Sequence, residues 1–296
     1  MNDFSQFLHN QRMKLLDFIY SDCTDKSVAE IKEELLEFYN IYNVNVANLQ
    51  SDTVYRVRKI VADTPHQTAS DLWHPPPERI TRINRANDIN DPVFYCSLDA
   101  ATAIEEAQIA PGDHFSLAIY HLAARRDYNM TSVVIKESLP LSGNAEEFSR
   151  FGSELSRFMV REFTQPVTKG NENLYKRSCA IAKILFDLPY KDSIIYPSVK
   201  DPESINVALL SEAATERLKL IQVVTCIKED DDCITATVLS KPDPYGCLVA
   251  ESPSHPMPAK LRLTDAQMRF SSCFSDNTIA TPGEIFSHHI GKIAGD

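Results

Sequence analysis

Two arginines in the first third of the chain could hold the phosphate groups of a ligand. Arg56 lies in a segment of alternating apolar and polar residues, and Arg82 follows a loop rich in proline. A planar guanidinium can donate two parallel hydrogen bonds to phosphate oxygens, so either side chain suits an anion site. Tyr95, in the next predicted strand, adds an aromatic face on which a ring could stack.

A carboxylate and two neutral polar side chains could act on a ligand held in this way. Glu106 lies in a predicted helix after Tyr95, and Ser198 and Asn206 flank the junction of two later strands. A carboxylate can stabilise positive charge that develops on a reacting group, and hydroxyl and amide groups can hydrogen-bond to it. Residue type alone does not separate Glu106 from its neighbour Glu105. Each residue by itself is also typical of a surface or core position, so the prediction depends on their combination and order.

The elements that must position these residues follow from the apolar spacing. Long helices interrupt the strands at irregular intervals, which favours an α+β fold over a regular βαβ wind. Strands are predicted at 53–61, 92–98, 115–122, 131–136, 193–198, 205–210, 220–227 and 234–239. Helices are predicted at 99–108, 146–163, 173–188 and 263–274, and residues 275–296 are expected to be loosely held.

The first 49 residues predict a pair of amphipathic helices. Apolar residues recur three and four apart over 4–19 and again over 28–42, and Ser27 with Glu30 forms a capping-box pattern before the second run. Each apolar stripe must be buried against something. We expect the pair to pack on the main domain, and the alternative is a surface for a partner protein or for a second copy of the chain.

Composition narrows the class of protein. The net charge of −11 repels polyanions, so we expect no nucleic-acid partner. The seven cysteines are scattered without a CxxC pair, His288-His289 has no third ligand nearby, and the acidic run 229–232 is typical of a hairpin turn. We therefore expect no disulfide framework and no metal. The sequence shows neither a secretory signal nor a membrane span, which predicts a cytoplasmic protein without a membrane partner.

Several separated segments together resemble the RES-domain family, which is named for an arginine, a glutamate and a serine. The resemblance covers roughly residues 53–225. The matching segments are Tyr55-Arg56, Pro76-Pro77 leading to Arg82-Ile83-Asn84, Pro92-Val93-Phe94-Tyr95 with Thr102-Ala103-Ile104-Glu105-Glu106, Tyr175, Tyr196-Pro197-Ser198, and Asn206-Val207. In this alignment Glu106, and not Glu105, takes the place of the family's glutamate.

The resemblance implies a function as well as a fold. Members degrade NAD or transfer its ADP-ribose, many are bacterial toxins, and a partner antitoxin blocks the cleft. The implied fold is related to ADP-ribosyltransferases, with split β-sheets, flanking helices and NAD between the sheets. We divide the chain into an N-terminal extension (1–49), a RES-like catalytic domain (50–227) and a C-terminal extension (228–296). The implied catalytic residues are Glu106, Arg82 and Ser198, and the implied NAD-binding residues are Arg56, Tyr95, Asn84, Tyr196 and Asn206.

Three functions stay open at this point. NAD could be a substrate cleaved with water or phosphate as acceptor, ADP-ribose could pass to a macromolecule, or NAD could be bound without turnover. Phosphate as acceptor requires an anion site beside the ribose, for which Arg79 and Arg85 are candidates. The chain departs from the family pattern at Thr81 and Ser193, where glycine is common, and at Val199, where a second serine is common. None of these departures removes a predicted polar group. The N- and C-terminal extensions could shield the cleft, recruit a target or mediate assembly into a homo-oligomer, and the sequence does not choose among these roles.

Overall fold

A computed structural model describes residues 3–40, 44–49, 53–62, 64–122, 130–137, 146–189, 192–230, 232–251 and 257–263. Its helices are α1 (Asp3–Tyr20), α2 (Val28–Tyr39), α3 (Ala100–Glu106), α4 (Glu146–Thr164), α5 (Tyr175–Phe186) and α6 (Ser211–Arg217). Its strands are β1 (Asn45–Asn48), β2 (Thr53–Lys59), β3 (Val93–Ser97), β4 (His114–Leu122), β5 (Thr131–Val134), β6 (Ser193–Pro197), β7 (Ile205–Leu210), β8 (Leu218–Lys228), β9 (Cys233–Pro242), β10 (Leu248–Ala250) and β11 (Ala259–Arg262). The predicted α+β class is confirmed.

The strands described here form one mixed sheet with a weak junction near its middle. The order is β1-β5-β6-β7-β3-β2-β4-β8-β9-β10, with β11 also paired to β9. β2 pairs with β4 over its whole length, but with β3 only at Tyr55 and Ser97. Beyond that single pair, β2 and β3 separate and leave a fork between two well-paired groups of strands. The fork is where a cleft can form within an otherwise continuous sheet.

The N-terminal helices pack on the main body of the protein. α1 lies against α4 and α2 lies against α5. Phe18 of α1 meets Phe158 of α4 edge to face, with ring centroids 5.9 Å apart, and Leu15, Ile31 and Leu35 are fully buried in the same core. This is the packing that we expected of the two apolar stripes. The capping box of α2 is also present, with Ser27 accepting from the Glu30 backbone and Glu30 accepting from the Ser27 backbone.

Four short elements are absent from the sequence-based prediction. β1, β10 and β11 have only three or four residues each, and each is stabilised by pairing with a longer or equally short strand elsewhere in the chain: β1 with β5, and β10 and β11 with β9. α6 follows β7 without a loop and buries Ala213 and Ala214. Local periodicity carries little information for segments of this length.

The remaining sequence-based predictions concern the acidic turn at 229–232 and the segment after residue 262. The acidic run 229–232 lies between β8 and β9, which pair antiparallel, so the predicted hairpin is present. The predicted helix at 263–274, the segment 275–296 and His288-His289 lie outside the described residues, apart from Leu263 itself. Among the described helices, none is long and apolar enough to cross a membrane.

Candidate active site

A cavity of about 330 Å³ opens at the fork between β2 and β3. Its volume falls in the range of about 300–1,000 Å³ that is common for small-molecule sites. The structure brings most of the predicted site residues to this cavity. Those that line it are Arg56, Asn84, Tyr95, Glu106, Tyr196 and Asn206.

Glu106 is held at the cavity by three hydrogen-bond donors that share one carboxylate oxygen. Its Oε1 accepts from Ser198 Oγ (2.5 Å), Asn206 Nδ2 (2.8 Å) and the backbone N–H of Val199 (3.2 Å). Within the described part of the chain, Oε2 has no hydrogen-bond partner. The three donors fix the plane of the carboxylate and leave its second oxygen available to a ligand in the cavity.

The local sequence explains why Glu106, and not Glu105, reaches the cavity. Asp99 caps α3 by accepting from the backbone N–H of Thr102 at 2.7 Å, and the helix then runs for only seven residues. Ile104 is fully buried on the packed side of this helix, whereas Glu105 is exposed to solvent. Partial desolvation of its carboxyl group and the nearby carboxylates of Asp99 and Asp201 raise the pKa of Glu105. The family alignment therefore selects the glutamate that the geometry places in the cavity.

Ser198 occupies a different position from the one expected. We predicted a hydroxyl facing the ligand, but Ser198 is 1% exposed and is not among the cavity-lining residues. Its Oγ donates to Glu106 and also accepts from the backbone N–H of Lys200 at 3.1 Å. In this geometry Ser198 orients the carboxylate from behind.

Asn206 connects Glu106 to the sheet. Its Oδ1 accepts from Ser97 Oγ at 2.7 Å while its Nδ2 donates to Glu106. The carboxylate fixes which end of the amide faces it, because a carboxylate only accepts and so must meet the NH2 group, which leaves the amide oxygen to accept from Ser97. Ser97 and Asn206 are register partners on β3 and β7, so the sheet itself positions this donor.

Arg56 spans the fork. Its Nη1 donates to the backbone oxygen of Tyr95 at 2.6 Å, and its guanidinium lies 4.8 Å from the centre of the Phe94 ring. Burial lowers the pKa of Arg56 to about 10, with a smaller contribution from the neighbouring cation of Arg58. Its buried Nε has no hydrogen-bond partner among the described residues. A guanidinium that lines the cavity and carries several N–H donors suits an anionic ligand.

Two tyrosines form part of the aromatic wall. Tyr95 lies in the middle of β3, within the strand predicted at 92–98. Its hydroxyl donates to Asn87 Oδ1 (2.8 Å) and accepts from the backbone N–H of Ala86 (2.9 Å), so two hydrogen bonds fix the hydroxyl end of the ring. Burial raises the pKa of both Tyr95 and Tyr196. These hydroxyls therefore stay protonated at neutral pH, and the rings are suited to stacking.

The arginine that follows the proline-rich loop is not at the cavity. Arg82 is 61% exposed in its side chain, and its nearest ionic partner is Glu172 at 3.5 Å. Arg85, three residues later, lines the cavity together with Asn84. Its guanidinium lies 5.1 Å from the centre of the Tyr175 ring, and Tyr175 also lines the cavity. The catalytic role given to Arg82 stays a prediction, while the geometry adds Arg85 and Tyr175 as candidate binding residues.

The chemistry available here is electrostatic. The cavity lining carries the fixed carboxylate of Glu106 (the carboxylate wall), the guanidinium groups of Arg56 and Arg85 (the arginine wall) and several tyrosine rings. Cys96 also lines the cavity, but burial raises the pKa of its thiol to about 12, so it is a poor nucleophile. No cluster of three or more metal-ligating side chains occurs in the part of the chain that the structure describes. The arrangement can bind a phosphate-containing ligand and stabilise positive charge that develops beside Glu106.

Fold and site together define an α+β protein with a ligand cleft at a fork in its sheet. A family model, the RES domain, matches residues 53–228, which is more than half of the chain. The chain belongs to the RES domain family. The match begins at the first residue of β2 and ends at the last residue of β8, so it includes every predicted site residue.

Comparison with solved structures finds the Mycobacterium tuberculosis MbcT–MbcA toxin–antitoxin complex. A chain of that complex is 10% identical to this one, with a TM-score of 0.35, and the alignment covers 68% of this chain and 93% of that chain. Comparison with curated protein sequences finds no significant match.

Proposed function

We propose that the protein is an enzyme that consumes NAD by cleaving the bond between nicotinamide and ribose. The observation that carries the proposal is the Glu106 carboxylate, which is fixed through Oε1 by Ser198, Val199 and Asn206 beside a cavity lined by two arginines. Membership of the RES domain family supports NAD as the ligand. The arginines would hold the pyrophosphate, and a tyrosine ring would stack on nicotinamide.

The proposed reaction uses the carboxylate as an electrostatic group. When the glycosidic bond breaks, its electron pair leaves with the nicotinamide nitrogen, and the ring departs as neutral nicotinamide. The ribose carbon becomes positively charged in an oxocarbenium-like transition state, which Oε2 of Glu106 would stabilise. A water or phosphate oxygen then bonds to that carbon, and an attacking water loses a proton.

The test is incubation of the purified protein with NAD in the presence and in the absence of phosphate. Nicotinamide and the ribose product are followed by chromatography, with Glu106→Gln as the blank. Repeated turnover with free ADP-ribose would identify water as the acceptor, and ADP-ribose 1″-phosphate would identify phosphate. No release of nicotinamide by the intact protein under either condition would contradict the proposal. That result would favour the other two functions, which are transfer of ADP-ribose to a macromolecule and binding of NAD without turnover.

A role as a toxin restrained by a protein antitoxin is the cellular form of this proposal. Expression of the intact chain in bacteria should then lower cellular NAD and arrest growth, whereas Glu106→Gln should do neither. Normal growth with normal NAD, at equal levels of soluble protein, would speak against a toxin. The purified-enzyme assay would still decide the chemistry.

A further inference from the structure

The first link between the N-terminal helix and the cleft is Arg177 of α5. Its guanidinium donates to the backbone oxygens of Phe18 (3.2 Å), Ile19 (3.1 Å) and Ser21 (2.6 Å). These carbonyls lie at and just beyond the end of α1, where a helix leaves carbonyls without helical partners. A cation at this end also complements the helix dipole. Arg177 therefore ties α1, which precedes the segment matched by the RES domain, to α5.

The second link is Glu162 in the last turn of α4. Arg177 Nη1 lies 3.8 Å from Glu162 Oε1, and the Glu162 side chain is only 5% exposed. Glu162 Oε2 accepts from Gln165 Nε2 at 3.0 Å, and the same amide donates to the backbone oxygen of Leu174 at the start of α5. The side chains of Arg177, Glu162 and Gln165 thus fix the end of α4 relative to α1 and α5.

The third link is the backbone at the same end of α4. Arg85 Nη1 donates to the carbonyl of Glu162 and Nη2 donates to the carbonyl of Gln165, both at 3.2 Å. This bidentate contact holds the guanidinium over the ring of Tyr175. A guanidinium has five N–H donors, and these two bonds leave others for a ligand. The position of Arg85 in the cleft therefore depends on where α4 ends.

We propose that Arg177 is a positioning residue, which sets Arg85 and Tyr175 in the wall of the NAD cleft by anchoring the end of α4 to α1. The inference rests on the proposed function, because it assigns NAD to that cleft. The helix α1 is then a working part of the binding site, although none of its residues lines the cavity. Removing the Arg177 side chain should weaken the binding of NAD and leave the chemical step at Glu106 intact.

The test compares Arg177→Met and Arg177→Lys with Arg12→Met. Arg12 Nε contacts Glu154 Oε1 at 2.8 Å, so Arg12→Met removes another ion pair between α1 and α4 that is remote from Arg85. In the Arg177 variants, Glu162 keeps an ionic partner, because Arg161 Nη2 lies 3.1 Å from Glu162 Oε1. Thermal melts report stability, calorimetry in a Glu106→Gln background reports NAD affinity, and steady-state assays report kcat and KM.

We expect Arg177→Met to raise the Kd and KM for NAD about tenfold, as coupled positions commonly do, with kcat unchanged. Arg177→Lys should recover part of the loss, and Arg12→Met should change stability without changing the Kd. Arg85→Met should weaken binding at least as much as Arg177→Met. Because both substitutions act on one contact, the double variant should bind no more weakly than Arg85→Met alone.

Three results would overturn the inference. These are unchanged NAD affinity in a folded Arg177→Met, an equal loss of affinity in Arg12→Met, or additive effects of the Arg177 and Arg85 substitutions. Failure of the proposed function looks different, since the intact protein would then release no nicotinamide from NAD, whatever the affinities of the Arg177 variants. If that reference binds NAD and Arg177→Met binds it equally well, only the inference about Arg177 falls.

Discussion

The two charged walls of the cleft are held in place in opposite ways. Glu106 is fixed by donors that come from one short region, the turn between β6 and β7 and the start of β7. Arg56 and Arg85 are fixed by backbone carbonyls on separate elements, Tyr95 in β3 for the first and the end of α4 for the second. The donors to Glu106 therefore come from one segment of the chain, whereas the acceptors for the two arginines come from two separate elements. Because a carboxylate can stabilise developing positive charge and a guanidinium can bind phosphate, we expect the carboxylate wall to govern the chemical step and the arginine wall to govern affinity.

The largest effect is expected for Glu106→Gln. The change keeps the size of the side chain but removes the charge that would stabilise the transition state, so kcat should fall about a thousandfold or more. Glu105→Gln is the matched control, because Glu105 is the neighbouring glutamate and is exposed outside the cavity. It should keep nearly full turnover. Loss of activity in Glu105→Gln with normal activity in Glu106→Gln would show that the assignment is wrong by one residue.

A smaller loss is expected when the carboxylate keeps its charge but loses a donor. Ser198→Ala and Asn206→Ala should each lower kcat about tenfold to a hundredfold, since misplacement of a catalytic group by about 1 Å can have such effects. Ser204→Ala is the matched control, because Ser204 is a hydroxyl donor in the same turn that bonds to Asp201 at 2.7 Å. If all three variants lost the same activity, the effect would come from the turn and not from the contact with Glu106.

Substitutions in the arginine wall should raise the KM for NAD. Arg56→Lys keeps a positive charge but loses the fork that donates to Tyr95 and to phosphate, so the KM for NAD should rise about tenfold with kcat little changed. Arg58→Lys is the control on the same strand, because Arg58 donates to the Trp73 carbonyl and does not line the cavity. In the intact protein, NAD affinity should fall as the pH rises through about 10, where Arg56 loses its proton. A KM that is equal in wild type and Arg56→Lys would remove Arg56 from the binding site.

The smallest effect is expected for Cys96, which lines the cavity without belonging to either wall. Burial raises the pKa of its thiol to about 12, so at neutral pH it is not a thiolate nucleophile. Cys96→Ala should keep kcat within about threefold of wild type, in the range expected for a modest change in core packing. Abolished turnover in a stable Cys96→Ala protein would indicate covalent catalysis and would contradict the electrostatic role of Glu106.

The two walls also differ in how much could be predicted from the sequence. Glu106, Ser198 and Asn206 can be placed in one site, because each lies at or next to an end of a short strand or helix with a clear apolar pattern and the family motif fixes their order. The choice between Arg82 and Arg85 could not be made in this way. Both lie in one irregular segment, where a bridge between Asn84 and Asn87 and the contact with the end of α4 decide which side chain faces the cavity. The Arg85–Glu162 contact spans 77 residues and the Glu106–Ser198 contact spans 92, so neither leaves a local pattern, and only the second has family motifs at both ends.

For the elements outside the family match, the sequence likewise predicted burial but not the packing partners. The apolar stripes of α1 and α2 predicted that both helices would be buried. They did not indicate that Arg177 would cap α1 or that Glu162 would connect this cap to Arg85, because an arginine and a glutamate on helices are typical of solvated faces. Likewise, β10 and β11 exist only through their pairing with β9. In each case the missing information is the packing partner.

The central claim is that Glu106 stabilises the transition state for cleavage of NAD and that Arg56 and Arg85 bind NAD. The most direct test is a calorimetric titration of Glu106→Gln with NAD, followed by measurement of nicotinamide in the same solution. The account predicts saturable binding, with an affinity close to the KM of the wild-type enzyme if KM reflects binding, and no nicotinamide above the blank. Rapid nicotinamide release by Glu106→Gln, or a complete loss of NAD binding in a folded protein, would contradict it.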